Sequence, residues 1–134
     1  SSWDVANVTI MNNMFKNAQN FNQDLSSWDV SNVTDMHNMF YNCKKFNQLI
    51  NNWNVSYVKD MSRMFDNCFN FNQPLNNWDV SNVKDMFYMF HGAKKFNQDI
   101  NNWNISNVED MTDMFAYSGI NEIPKWYLHN DCDN

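Results

Sequence analysis

Three cysteines, three histidines and two ladders of acidic side chains are the groups in this 134-residue sequence whose types could carry chemistry. Cys43 and Cys68 stand 25 positions apart, and Cys132 stands alone. Strand-like stacking of a 25-residue unit would bring two such thiols to about 5 Å, within the Cα reach of a disulfide. Ala18, Ala93 and Ser118 fill the same place elsewhere, so a small buried thiol is the simpler expectation. No Cys-x-x-Cys or Cys/His spacing suggests zinc. His37, His91 and His129 accompany no nucleophile, and exposed, incidental positions are expected for them.

The acidic ladders raise the question of a metal. Asp29, Asn54, Asp79 and Asn104 each lie between a tryptophan and a Val or Ile, so a strand would turn them to solvent. Calcium takes about six to eight oxygens, and one carboxylate or amide per unit with an Asn or Ser neighbour falls short. These four are therefore candidate ligand contacts on a polar face, and no metal or cofactor is expected. Asp35, Asp60, Asp85 and Asp110 suit the first turn of a helix, where the dipole favours a carboxylate. An enzyme would need a nucleophile with its base, or an acid pair, at one unique place. No such place breaks the repeat, and the chain is expected not to be an enzyme.

What must position these groups is the repeat itself, which has to be read first. Trp3, Trp28, Trp53, Trp78 and Trp103 recur in equal steps, as do Val8, Val33, Val58, Val83 and Val108. Met11 to Met111, Phe15 to Phe115 and the "FNQ" opened by Phe21, Phe46, Phe71 and Phe96 keep the same register. Trp28 and Val30 alternate with polar residues, a strand period; Val33, Met36, Phe40 and Cys43 recur at three or four, a helical period. The spacing predicts a strand at each tryptophan and a short helix near 33–42, with a 3₁₀ or irregular segment as the alternative. Each repeated tryptophan should be buried, with Trp28, Trp53, Trp78 and Trp103 at the centre of the core. The FNQ amides should form ladders from unit to unit, because a buried amide must be paired.

Written as one unit from Leu25, the sequence reads L-x-x-W-x-V-x-x-V-x-x-M-x-x-M-F-x-x-C-x-x-F. This resembles the leucine-rich repeat pattern, and more narrowly the BspA-like repeats of bacterial surface proteins. It is most similar to their 25-residue mycoplasmal variety, with "FNQDLSSWDVSNVTDM…MF" at residues 21–40. The resemblance covers residues 1 to about 119. It implies an α/β repeat solenoid of about five units, with short parallel strands on one face and short helices or 3₁₀ turns on the other. It also implies an extracellular or cell-surface protein for adhesion or for binding a host protein or other ligand. A structural spacer or self-associating surface rod is the alternative. Residues 120–134 depart from the repeat, and Ile120, Ile123, Trp126 and Leu128 are expected to cap the last unit. The opening at "SSWDV" falls inside a unit, which reads as a fragment or mature piece.

Charge narrows the partners. The net charge of −6 and scattered Lys and Arg argue against nucleic acid. No apolar run approaches the roughly 20 residues of a membrane-spanning helix. The sequons at Asn7, Asn32, Asn54 and Asn104 matter only on a eukaryotic secretory route. Where the units disagree, the helical period predicts a convex surface. Its rows carry Tyr41, Arg63, Phe87 and Tyr88, residue types enriched at protein interfaces. A protein or glycan ligand, or a second copy, is the expected partner of these surfaces.

Overall fold

A computed structural model of the protein describes residues 3–127. The repeated "x-x" pairs of the sequence are the central residues of tight turns. Trp28 N–H donates to Leu25 O at 3.1 Å, Val33 to Val30 at 3.0 Å, Met39 to Met36 at 3.1 Å and Cys43 to Phe40 at 3.0 Å. In each turn the apolar residues at the first and fourth places both point inward, and Leu25, Trp28, Val30, Val33, Met36, Met39, Phe40 and Cys43 are all buried. An Asp or Asn precedes many of these turns and accepts the N–H two residues on, as side chains of this kind do in Asx-turns. Asp24 accepts from Ser26, Asp29 from Ser31 and Asp35 from His37.

The expected alternation of strands with helices does not form. Among the described residues there is no helix, α or 3₁₀. Strand pairing is limited to isolated parallel bridges joining Ile10, Asp35, Asp60, Asp85 and Asp110 in sequence. The segment near 33–42 fails as a helix because Asn38 and Asn42 have φ of 59° and 63°, in the left-handed region. Its amide groups also leave the segment. Met36, Asn38, Phe40 and Asn42 donate their N–H to Asp60, Ser62, Met64 and Asp66 of the next repeat at 2.8–3.0 Å. So short a helix is marginal alone, whereas the stack offers a bond at every second residue. The bonds along this edge run one way, from each repeat to the one after it.

Aromatic columns fill the interior. Phe40, Phe65, Phe90 and Phe115 stack with centroids 5.5–5.7 Å apart. Trp53, Trp78 and Trp103 follow at 6.5 Å. Each of these indoles donates its Nε1–H to a carbonyl 28 residues earlier: Leu25, Ile50 and Leu75. Trp3 departs from expectation: it is 66% exposed, because no repeat covers its outer side among the described residues. Cys43 and Cys68 are free and buried, and their thiols donate to Phe15 O and Phe40 O at 2.9 and 2.8 Å. Burial pushes the Cys43 thiol up to about 12 and raises that of Cys68 as well.

The ends differ. At the first repeat an open apolar groove of about 290 Å³ is lined by Trp3, Phe15, Phe21, Leu25 and Trp28, among others. The Trp28 Nε1–H is buried there without a hydrogen-bond partner. At the last repeat Trp126 stacks on Trp103 at 6.3 Å and donates its indole N–H to Ile100 O at 3.1 Å. Tyr127 is buried beside it, while Ile120 is half-buried and Ile123 exposed. Leu128, His129 and Cys132 lie outside the described residues. No helix among the described residues is long and apolar enough to cross a membrane.

Candidate functional site

Two rows of left-handed residues run along the turn edge of the stack. One holds Asn13, Asn38, Arg63, Tyr88 and Asp113; the other holds Asn17, Asn42, Asn67, Gly92 and Tyr117. Each sits third in a turn whose geometry requires positive φ, where Gly and Asn are the favoured residues. At Gly92 a Cβ would come within 2.2 Å of Asn67 Oδ1. Arg63, Tyr88 and Tyr117 are the bulky exceptions, and a left-handed conformation costs such residues about 1–2 kcal/mol each.

The three exceptions meet. The Arg63 guanidinium lies over the rings of Phe87 and Tyr88, 5.2 and 4.9 Å from their centroids. Phe87 and Tyr88 stack at 4.1 Å, Tyr88 stacks on His91 at 4.5 Å, and Tyr117 meets His91 edge-on at 5.7 Å. Beneath them Asp66, 2% exposed, accepts from His91 Nδ1 at 2.9 Å and faces Arg63 at 3.8 Å. Burial raises the Asp66 pKa, against the opposing pull of the His91 hydrogen bond and the His91 and Arg63 charges. Arg63, Phe87, Tyr88 and His91 remain partly exposed and Tyr117 is 83% exposed, so the cluster is a rigid aromatic and cationic platform.

One neighbouring arrangement has the residue types of a nucleophile and base. His37 Nδ1 lies 3.3 Å from Ser62 Oγ, but the hydroxyl donates to Asp60 Oδ1 at 2.6 Å. Ser62 is buried, and the bond to Asp60 directs its proton away from the imidazole. The trio ties adjacent repeats together.

Of the residues singled out in the sequence, Arg63, Phe87 and Tyr88 are brought together, while Tyr41 lies apart with Lys16 5.7 Å above its ring. Asp29, Asn54, Asp79 and Asn104 are exposed, on turns instead of strands. Each accepts the N–H of the serine two residues on, and Asp29 and Asp79 also take the serine hydroxyl at 2.6 Å. Those hydroxyl and amide bonds hold both carboxyls below the usual range. Asp35, Asp60, Asp85 and Asp110 cap no helix; they accept the same i+2 bond from His37, Ser62, Phe87 and Thr112. The FNQ ladder forms on an exposed edge: Asn47, Asn72 and Asn97 donate N–H to the amide oxygen one repeat earlier at 2.9–3.0 Å. Sequence reasoning missed Tyr117 and took His91 as incidental. The signal was Tyr at a place where Asn or Gly stands in the other repeats.

Among the described residues no group of three or more His, Cys, Asp and Glu side chains could hold a metal ion. The family described as "Mycoplasma protein of unknown function, DUF285" matches over residues 1–70 and 25–126. No curated protein and no solved structure matches the chain.

Proposed function

We propose that this chain, which belongs to the DUF285 family, is a non-enzymatic surface or secreted repeat module. It binds a protein partner through the edge formed by Arg63, Phe87, Tyr88 and Tyr117. The observation that carries this reading is the placement of backbone strain. Three bulky residues occupy left-handed places that other repeats give to Asn, Asp or Gly, and all three converge on one platform. Strain held at one place in an otherwise regular structure points to a site of use. Tyr and Arg anchors on a rigid scaffold are also the residue types that dominate binding energy at interfaces. The surface setting is supported by the pattern's likeness to BspA-like repeats.

The test restores the common residue at each place. Arg63→Asn, Tyr88→Asn and Tyr117→Asn should together raise stability by about 1–3 kcal/mol by relieving strain. The same variant should lose binding to cultured animal cells measured with the fluorescently labelled protein. Undiminished binding would refute the platform. Sedimentation that changes with concentration and reverts in the variant would favour the self-associating rod.

A further inference from the structure

The lysines form a second surface that the linear sequence disperses. Lys44-Lys45 and Lys94-Lys95 are 50 residues apart, two repeats, so the stack sets them in the same two rows. Phe69 stands between them. Its ring is bracketed by Lys94 Nζ at 4.4 Å and Lys44 Nζ at 5.2 Å. Backbone bonds fix this corner: Asn70 N–H donates to Lys44 O at 3.1 Å and Gly119 N–H to Ala93 O at 3.0 Å. Gly119 is required there, because a Cβ would come within 2.1 Å of Lys94 O.

The corner is basic within an acidic chain. Residues 17–23, 42–48, 67–73 and 92–98 contain no Asp or Glu, yet hold four of the nine Lys and Arg. Among the described residues the ion pairs are those of Asp66 with Arg63 and His91, so no carboxylate lies within bonding reach of these lysines. Asp66 lies on one side of the corner, already paired, and Asp24 and Asp99 lie beyond the amide ladder on the other. The ladder adds donors of its own. The side-chain oxygens of Asn47 and Asn72 each accept from the next repeat, and that of Asn97 from Asn121 N–H. Their Nδ2 groups have no partner among the described residues and lie on the exposed edge.

We infer that this edge binds an acidic polysaccharide, with Lys44, Lys45, Lys94 and Lys95 against its carboxylates or sulfates and the Asn47, Asn72 and Asn97 amides against its hydroxyls. The surface presents donors only, which suits a partner made of acceptors. It offers no apolar anchor for an acidic peptide, since two ammoniums cover the Phe69 ring. It also lacks the exposed aromatic platform on which single-stranded bases stack. Lysine contributes a point charge instead of the planar fork that reads phosphate geometry. This surface is separate from the Arg63 platform, and its failure would leave that reading intact.

Heparin is the probe. The protein should be retained on heparin at low salt, with a slope of log affinity against log salt of about −3, as expected when about four charges release counterions. The variant K44Q/K45Q/K94Q/K95Q should lose at least about tenfold in affinity. The variant K16Q/K59Q/K84Q/K125Q, which removes equal charge elsewhere, should keep it, as should Arg63→Asn with Tyr88→Asn. Phe69→Ala should give a smaller loss by freeing the two bracketing side chains. Equal losses in the two lysine variants would overturn the proposal. So would duplex DNA competing as well as heparin.

Discussion

The two ends of the stack are built from the same residues and end in opposite states. At the last repeat, Trp126 repeats the bond made by Trp53, Trp78 and Trp103, donating its indole N–H to a carbonyl of the preceding repeat. At the first repeat the Trp28 indole makes no such bond, Trp3 is 66% exposed and Ile10 is 52% exposed. The difference teaches that each repeat is completed by its neighbours. Its apolar face and its polar atoms are both left unfinished without them, as expected where stability is a sum of nearest-neighbour interfaces.

Substitutions at equivalent tryptophans sharpen this contrast. Trp53→Ala, in the interior, should lose about 3–5 kcal/mol in urea unfolding, the range for a large aromatic removed from a core. Trp126→Ala should lose about 2 kcal/mol, since it has a neighbour on one side and is partly exposed. A loss as large as that of Trp53 would mean that the final segment is as integral as a full repeat. Replacement by Phe isolates the hydrogen bond. Trp53→Phe strands the Leu25 carbonyl and should cost about 1–2 kcal/mol more than Trp28→Phe, which removes a donor already without a partner. Equal effects in that pair of unfolding curves would break the comparison. Trp3→Ala should move the curve least, by under about 0.5 kcal/mol, as surface substitutions do.

The buried set was legible in the sequence, because residues that meet the core have no freedom to vary: Val33, Met36, Phe40 and their counterparts in the next two repeats are fully buried. The local structure was not. Apolar residues three apart share a face in a helix, and they share one equally in successive tight turns. Leu25 to Trp28 and Val30 to Val33 therefore fit either description. What decides between them is the φ of Asn38 and Asn42 and the destination of the N–H groups, neither of which spacing encodes. Part of the candidate site was readable as variation between repeats, which marked Arg63, Phe87 and Tyr88. Asp66 and His91 were visible in one row of that variation, but their hydrogen bond depends on burial that only packing supplies. The Lys44 and Lys94 pairs looked scattered because they were read along the chain instead of across the repeats.

The one-way bonds of the turn edge carry an arithmetic consequence. The bonds between full repeats join residues offset by about one repeat length: Met36 to Asp60, Asn47 to Asn22, Asn52 to Ser26, Trp53 to Leu25. Removing residues 51–75 as a block would give every surviving donor a chemically equivalent acceptor at the same offset; the Trp78 indole, for instance, would find Leu25 in place of Ile50. The fold is therefore indifferent to copy number. Homologous recombination between near-identical stretches of its gene could lengthen or shorten the protein in whole units without a new core, a new seam or a new terminus having to evolve. Reach from one end to the other can change by inheritance in single steps while the surfaces carried on each unit stay as they are.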